Sequence, residues 1–271
     1  MRTLPLRLSA EEARHVRRGV VLVLWGALAL VGWWWSPWSP DAIDRPSTLI
    51  AWGFPHLALR AYEDLGRGFA PADTRAEALW RGAHLAAGDL EDPQKAIELL
   101  RELVVRYPQS ARLAVAHEQL ATLYDLRKRD SLRAAESWQS AAEAAPDAPE
   151  APARWLAAGQ SFARAHEPAR AEFALRRAAM GPTAAPEAWL TLGQVLLPSA
   201  PISAYDAFES ALKSGAEGTT ASMSRLGLVT ALERQDNASR ALAMVEAQIE
   251  RGDRDSSLLL RQRRLLSRST P

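Results

Sequence analysis

The sequence predicts an all-α chain: a solenoid of antiparallel helix pairs preceded by one membrane-crossing helix. Three observations carry this expectation. Apolar residues recur at helical spacing through most of the 271 residues, which is the mark of amphipathic helices. The same helix–turn–helix pattern returns several times along the chain, and a lone helical hairpin cannot bury its apolar face. Near the start, residues 19–35 form a run of 17 residues without a charge.

Composition bounds the function classes. Charged residues are 24% and apolar ones 48%, so the chain is globular rather than disordered. The net charge of +1 gives no case for a nucleic-acid partner. The absence of cysteine excludes disulfides, cysteine-ligated metals, a catalytic thiol and a lipid-bearing cysteine.

Residues 1–18 form a basic head, in which Arg2, Arg7, Arg14, Arg17 and Arg18 outnumber Glu11 and Glu12. Residues 19–35 follow. At about 1.5 Å per residue this run just reaches across a hydrocarbon core of about 30 Å. Trp25 lies within it, and Trp33, Trp34 and Trp35 end it where an aromatic belt would meet the membrane surface. Ala27-Leu28-Ala29 has the small-x-small form of a cleavage site, but cutting there would expose another apolar run. An uncleaved signal anchor is therefore expected. With arginines before the segment, the positive-inside rule puts the N-terminus in the cytoplasm and the rest across the membrane. In a bacterium this gives a single-pass inner-membrane protein with a periplasmic domain. Residues 36–48 read either as a stiff, proline-rich linker or as a loop packed on the first repeat through Trp38.

Residues 49–254 carry the repeats. The clearest is Trp155, Gly159 and Phe162 on one helix, then Ala171, Leu175 and Ala178 on the next, with His166-Glu167-Pro168 as the turn. Gly159 and Ala171 are small, as closely approaching helices require. Trp80 is followed at the same distance by Ala96, Leu100 and Leu103. A third unit has Leu120, Ala121 and Tyr124, then Ala134, Trp138 and Ala141, with one extra residue in its turn. A fourth has Trp189, Leu192 and Gly193, then Ala204, Phe208 and Ala211, with one residue fewer. Two weaker units flank these. Ala58, Tyr62 and Leu65 suit a second helix, while Leu226, Gly227, Ala241 and Val245 suit a whole unit with a turn about two residues longer. Ala72-Asp73-Thr74 reads as a cap before the Trp80 helix, and Asp92-Pro93 opens the helix after it. Residues 255–271, rich in Leu and Arg, read as a terminal helix that closes the stack.

This spacing resembles the tetratricopeptide repeat (TPR), over roughly residues 52–268. The resemblance implies five to six stacked hairpins whose first helices line a concave face for a protein partner. Such families bind through first-helix positions one and five residues after the Trp position. Here these are Arg81 and Leu85, Leu156 and Gln160, and Leu190 and Gln194. In the His117 unit they are Glu118 and Thr122, and Arg164 would face inward one turn beyond Gln160. TPRs that clamp the C-terminal carboxylate of heat-shock chaperones use Lys and Asn there, and this chain departs from that pattern. The architecture is similar to anchored bacterial TPR proteins of the YfgM type, ancillary to the Sec translocon. That similarity implies a scaffold or chaperone-like adaptor in envelope protein traffic or complex assembly. A structural subunit of a membrane complex is an alternative. So is a client-holding factor of the cytochrome c maturation type, although that family usually has a second span.

No catalytic constellation is expected. The five histidines are scattered, one per region, and none forms H-x-x-x-H or H-E-x-x-H. No nucleophile elbow, phosphate-cradling loop or dinucleotide fingerprint is present. The chain is therefore expected to need no cofactor, metal or small-molecule substrate. Trp80, Trp138, Trp155 and Trp189 are expected in the core, and Trp52 has no role in the repeat pattern.

Overall fold

The computed structural model describes residues 40–181, 183–250 and 256–269. The membrane-anchor expectation for residues 19–35, with Trp25, Trp33, Trp34 and Trp35, lies outside them. Among the described residues no helix is long and apolar enough to cross a membrane.

The described residues form 13 α-helices and no strand. They divide into two compact units, one up to Arg112 and one from Leu113 onward. In the first, a short 3-10 turn at Pro40–Ile43 leads into α1 (Arg45–Ala51), α2 (Pro55–Arg67), α3 (Ala72–Ala87) and α4 (Pro93–Arg106). The proline-rich stretch is thus folded from Pro40 onward, and Ala42 and Pro46 are buried. Prolines favour this, since Pro46 stands in the first turn of α1, where its missing N–H costs nothing. Each helix packs on the next. Ala58 and Tyr62 of α2 and Ala78 and Leu85 of α3 make a shared core, with Ile43, Leu49 and Ile50 against it.

The second unit holds α5 (Leu113–Leu123), α6 (Ser131–Ala144), α7 (Ala151–Arg164), α8 (Pro168–Ala178), α9 (Ala185–Leu196), α10 (Pro201–Lys213), α11 (Gly218–Arg234), α12 (Ala238–Glu250) and α13 (Ser256–Ser269). Consecutive helices pack as hairpins, and each hairpin's second helix also packs on the next hairpin's first. The main core joins Trp155, Phe162, Leu175, Leu192 and Phe208. A second cluster closes the end: Leu265 of α13 is fully buried with Val229, Leu232 and Val245. Arg261 Nη1 donates to Thr230 Oγ1 at 2.8 Å, so α13 is tied to α11, with Arg263 and Arg264 exposed.

Small residues set the helix approach. A Cβ on Gly159 would stand 2.5 Å from Leu175 Cγ. The turns inside hairpins share one device. Glu91, Arg129, His166 and Asp236 all have φ between 51° and 61°, each followed by the residue that starts the second helix's first turn. The hairpin with one residue fewer, between α9 and α10, lacks this left-handed residue. The one extra residue in the third repeat is absorbed by a π-helical turn at Tyr124–Lys128, the usual accommodation of a single insertion.

Three local expectations are corrected. α3 begins at Ala72 with Pro71 as N-cap, and Asp73 makes no capping bond, because Pro71 already sets the entry into the helix. The two extra residues of the fifth repeat lie in α11, not in its turn. α7 and α11 both end two residues before their left-handed residue, and Glu167 N→Phe162 O matches Asn237 N→Leu232 O at 3.0 Å. Of the four repeat tryptophans only Trp155 is buried, while Trp80, Trp138 and Trp189 are half-buried. Asp92 caps α4 as expected, accepting from Lys95 N at 2.9 Å.

Candidate functional site

The first helices carry most of the predicted groove residues, and much of their chemistry is turned inward. In the first unit Arg81 is committed. Its Nη1 donates to Asp44 Oδ1 at 2.6 Å, and its Nε donates to Glu77 Oε1 at 2.9 Å. Burial alone would raise the Glu77 carboxyl, but hydrogen bonds from Arg112 and Arg81 hold it below the ordinary carboxylate range. The Arg112 guanidinium also lies 4.2 Å from the centre of the Trp80 ring. Leu85 is 5% exposed, which leaves little of it for a partner to touch.

In the second unit, Glu118 accepts from Arg154 Nε at 3.2 Å, and Thr122 donates to the Glu118 carbonyl at 3.0 Å. Arg164 Nη2 donates to Asp125 Oδ2 at 2.7 Å and to Ser161 Oγ at 3.0 Å. Leu156 is half-buried against the main core, and Leu190 is buried. Gln160 is half-buried and Gln194 exposed.

These ion pairs share a period. Asp44–Arg81, Arg67–Glu102 and Glu77–Arg112 in the first unit join residues about one repeat apart, as do Glu118–Arg154 and Glu136–Arg170 in the second. The charges staple neighbouring hairpins, so they are not merely solvated helix faces. Each exposed pair contributes about 1 kcal/mol at most.

One open area beside the first helices is a surface depression of about 440 Å³ between the end of α7, the start of α8 and α9. Ala163, His166, Pro168, Thr191, Gln194, Val195 and Pro198 line it. Its wall is apolar with an amide, a hydroxyl and the His166 imidazole, a chemistry that can meet an extended or helical polypeptide. Sequence reasoning found Gln194 and missed Thr191 and Val195. Helical spacing places Thr191 beside both of the others, three residues before Gln194 and four before Val195. Among the described residues no cluster of His, Asp or Glu could hold a metal ion.

No protein-family profile matches the chain, and no curated protein matches it. Solved structures do. YrrB, described as a TPR protein with an unusual peptide-binding site, is 16% identical. The match covers 70% of this chain and 92% of that one, with a TM-score of 0.53. The fold is that of a TPR protein. The Naa15/Naa10 complex bound to HypK-THB is 14% identical, at a TM-score of 0.60 over 81% of this chain and 32% of that one. MamA is 20% identical over 64% of this chain and 89% of that one, with a TM-score of 0.46. Within the TPR fold the hairpin turns carry a second signal. A left-handed residue followed by Asp, Glu or Asn recurs at Glu91-Asp92, Arg129-Asp130, His166-Glu167 and Asp236-Asn237.

Proposed function

We propose that this TPR chain is a membrane-tethered scaffold that binds protein partners in bacterial envelope protein traffic or complex assembly. Residues 19–35 hold it in the inner membrane, with its N-terminus cytoplasmic and its repeats periplasmic. The observation that carries the reading is the depression between α7 and α9, open beside the first helices and lined by Thr191, Gln194 and Val195. YrrB, of like fold, is described as having a peptide-binding site. Arg164 follows the lining residue Ala163 in α7, while Arg81, Glu118 and Arg154 hold the hairpins together.

The test is a crosslinking pulldown from native membranes. It compares the full chain with a version lacking residues 1–39 and exported by a cleavable signal, each with and without Gln194→Ala and Val195→Glu. A partner recovered from both versions and lost with the substitutions supports recognition by the repeats. A partner recovered only with residues 1–39 present overturns it, since the anchor then does the recognising.

A further inference from the structure

Trp52 has no place in the repeat pattern, and the structure leaves it 70% exposed. It stands at the end of α1 in a tight turn. Gly53 N donates to Ile50 O at 2.9 Å and Phe54 N to Leu49 O at 2.8 Å, with Gly53 at φ 82°. This is the paired bonding of a Schellman cap, in which the residue after the glycine commonly packs back on the helix. Here Phe54 instead stays 53% exposed, and Leu57, one turn into α2, is 51% exposed. Three large apolar side chains therefore project at one turn.

Residues 45–62 contain Arg45, His56 and Arg60 and no Asp or Glu, with Asp44 and Glu63 at the two ends of the stretch. His56 and Arg60 are exposed and, with Glu63, border a shallow depression beside Leu57; the Glu63 carboxylate is already paired with Lys95 and Arg67. Among the described residues of this unit the other large exposed aromatic is Phe69, just past the far end of α2, about 20 Å along the helix. Its nearest charges in the chain are Asp64, Arg67 and Asp73.

We infer that the Trp52–Phe54–Leu57 turn inserts into the interfacial layer of the same bilayer that holds residues 19–35, seating the first hairpin on an anionic membrane surface. The inference rests on the anchor reading above. Chain length argues for this occupant. Five residue steps separate Trp35 from Pro40, a reach of at most about 18 Å; the turn at Pro40–Ile43 with Asp44 adds about 12 Å and α1 about 10 Å. Trp52 is thus tethered within about 40 Å of the end of the anchor. Tryptophan and phenylalanine beside cationic side chains are the composition that partitions into a headgroup layer.

The absence of cysteine makes the test clean. Ala51→Cys, which leaves both aromatics in place, and Phe69→Cys are each labelled with an environment-sensitive fluorophore in the full chain. The protein is incorporated into phosphatidylethanolamine–phosphatidylglycerol vesicles and recovered by flotation. Nitroxide-bearing lipids are expected to quench the label at 51 several-fold more than at 69. Trp52→Ser with Phe54→Ser should reduce quenching at 51 to the level at 69. If the chain floats but the label at 51 is quenched only by aqueous iodide, the anchor stands and this inference falls. A label shielded from both quenchers means that protein covers the turn, which also overturns it. If the full chain fails to float, the anchor reading itself is wrong, and the inference goes with it.

Discussion

The ring of Phe208 lies against the bare backbone of Gly193. A Cβ on Gly193 would fall 2.6 Å from ring carbons Cδ1 and Cε1. The next hairpin closes the other side, where a Cβ on Gly227 would fall 2.6 Å from Cε1 and Cζ. The fully buried ring has nowhere to move. Gly193→Ala should therefore destabilise the fold by about 1–3 kcal/mol, as overpacking does, read as a lower urea midpoint. The cost should shrink in a Phe208→Leu background, because the cycle isolates this contact. Equal costs in both backgrounds would assign the effect to the helix backbone instead.

Acid should act on the two units in different windows. Hydrogen bonding from Arg67 holds Glu102 below its ordinary value of 4.5, and Glu77 is likewise lowered despite its burial. Carboxylates depressed in the folded state give stability that is present above pH 4.5 and is lost as pH falls through their folded values. The first unit's stability should fall there, and Glu77→Gln with Glu102→Gln should flatten the slope. His117 acts earlier. Burial holds its imidazole below 6.5, with the Glu143 charge opposing. The neutral form is favoured in the folded chain, so its contribution is present above pH 6.5 and declines below it. Tyrosine and tryptophan fluorescence during urea unfolding at stepped pH should show this first decline, and His117→Gln should remove it.

Arg154 tests whether the inter-repeat charges stabilise or merely fit. It is 7% exposed, and its bond to Glu118 meets a partner that is 41% exposed. Among the described residues its buried Nη1 has no hydrogen-bond partner. An incompletely satisfied buried guanidinium gains little over an apolar side chain of like volume. Arg154→Met should thus change stability by less than about 1 kcal/mol, whereas Arg154→Ala, which empties the space, should cost about 1–3 kcal/mol. A Met variant as damaged as the Ala variant would show that the charge itself is needed.

The repeat core was legible because it depends on neighbours three and four residues apart. Gly159 against Leu175, the cap at Asp92 and the turn at His166 all follow from local spacing. The charges were not legible. Asp44 reaches Arg81 and Glu77 reaches Arg112 only because stacked hairpins bring residues about one repeat apart into register. Arg81 looked available for a ligand in part for the same reason: beside Glu77 on its own helix, its other partner lies in the segment before α1, which the repeat pattern does not describe. The depression between α7 and α9 is likewise a product of hairpin stacking, although Gln194 marked one of its walls.

The π-helical turn at Tyr124–Lys128 provides the last test. In α7 the chain leaves the helix with Glu167 N bonding Phe162 O, five residues back, whereas Asp130 N bonds Tyr124 O, six back. One residue is therefore surplus, and Leu126, 71% exposed, is the one that contributes nothing to the core. Tyr124 is buried beneath the Arg133 guanidinium, and Asp125 accepts from Arg164, so both precede the surplus residue and stay in place when it is removed. Deleting Leu126 should let α5 end as α7 does. The repeats should remain folded, with helix content by circular dichroism unchanged and stability altered by less than about 1 kcal/mol. Loss of cooperative unfolding in that variant would mean that the wider turn, rather than the residue count, sets how α5 packs on α6.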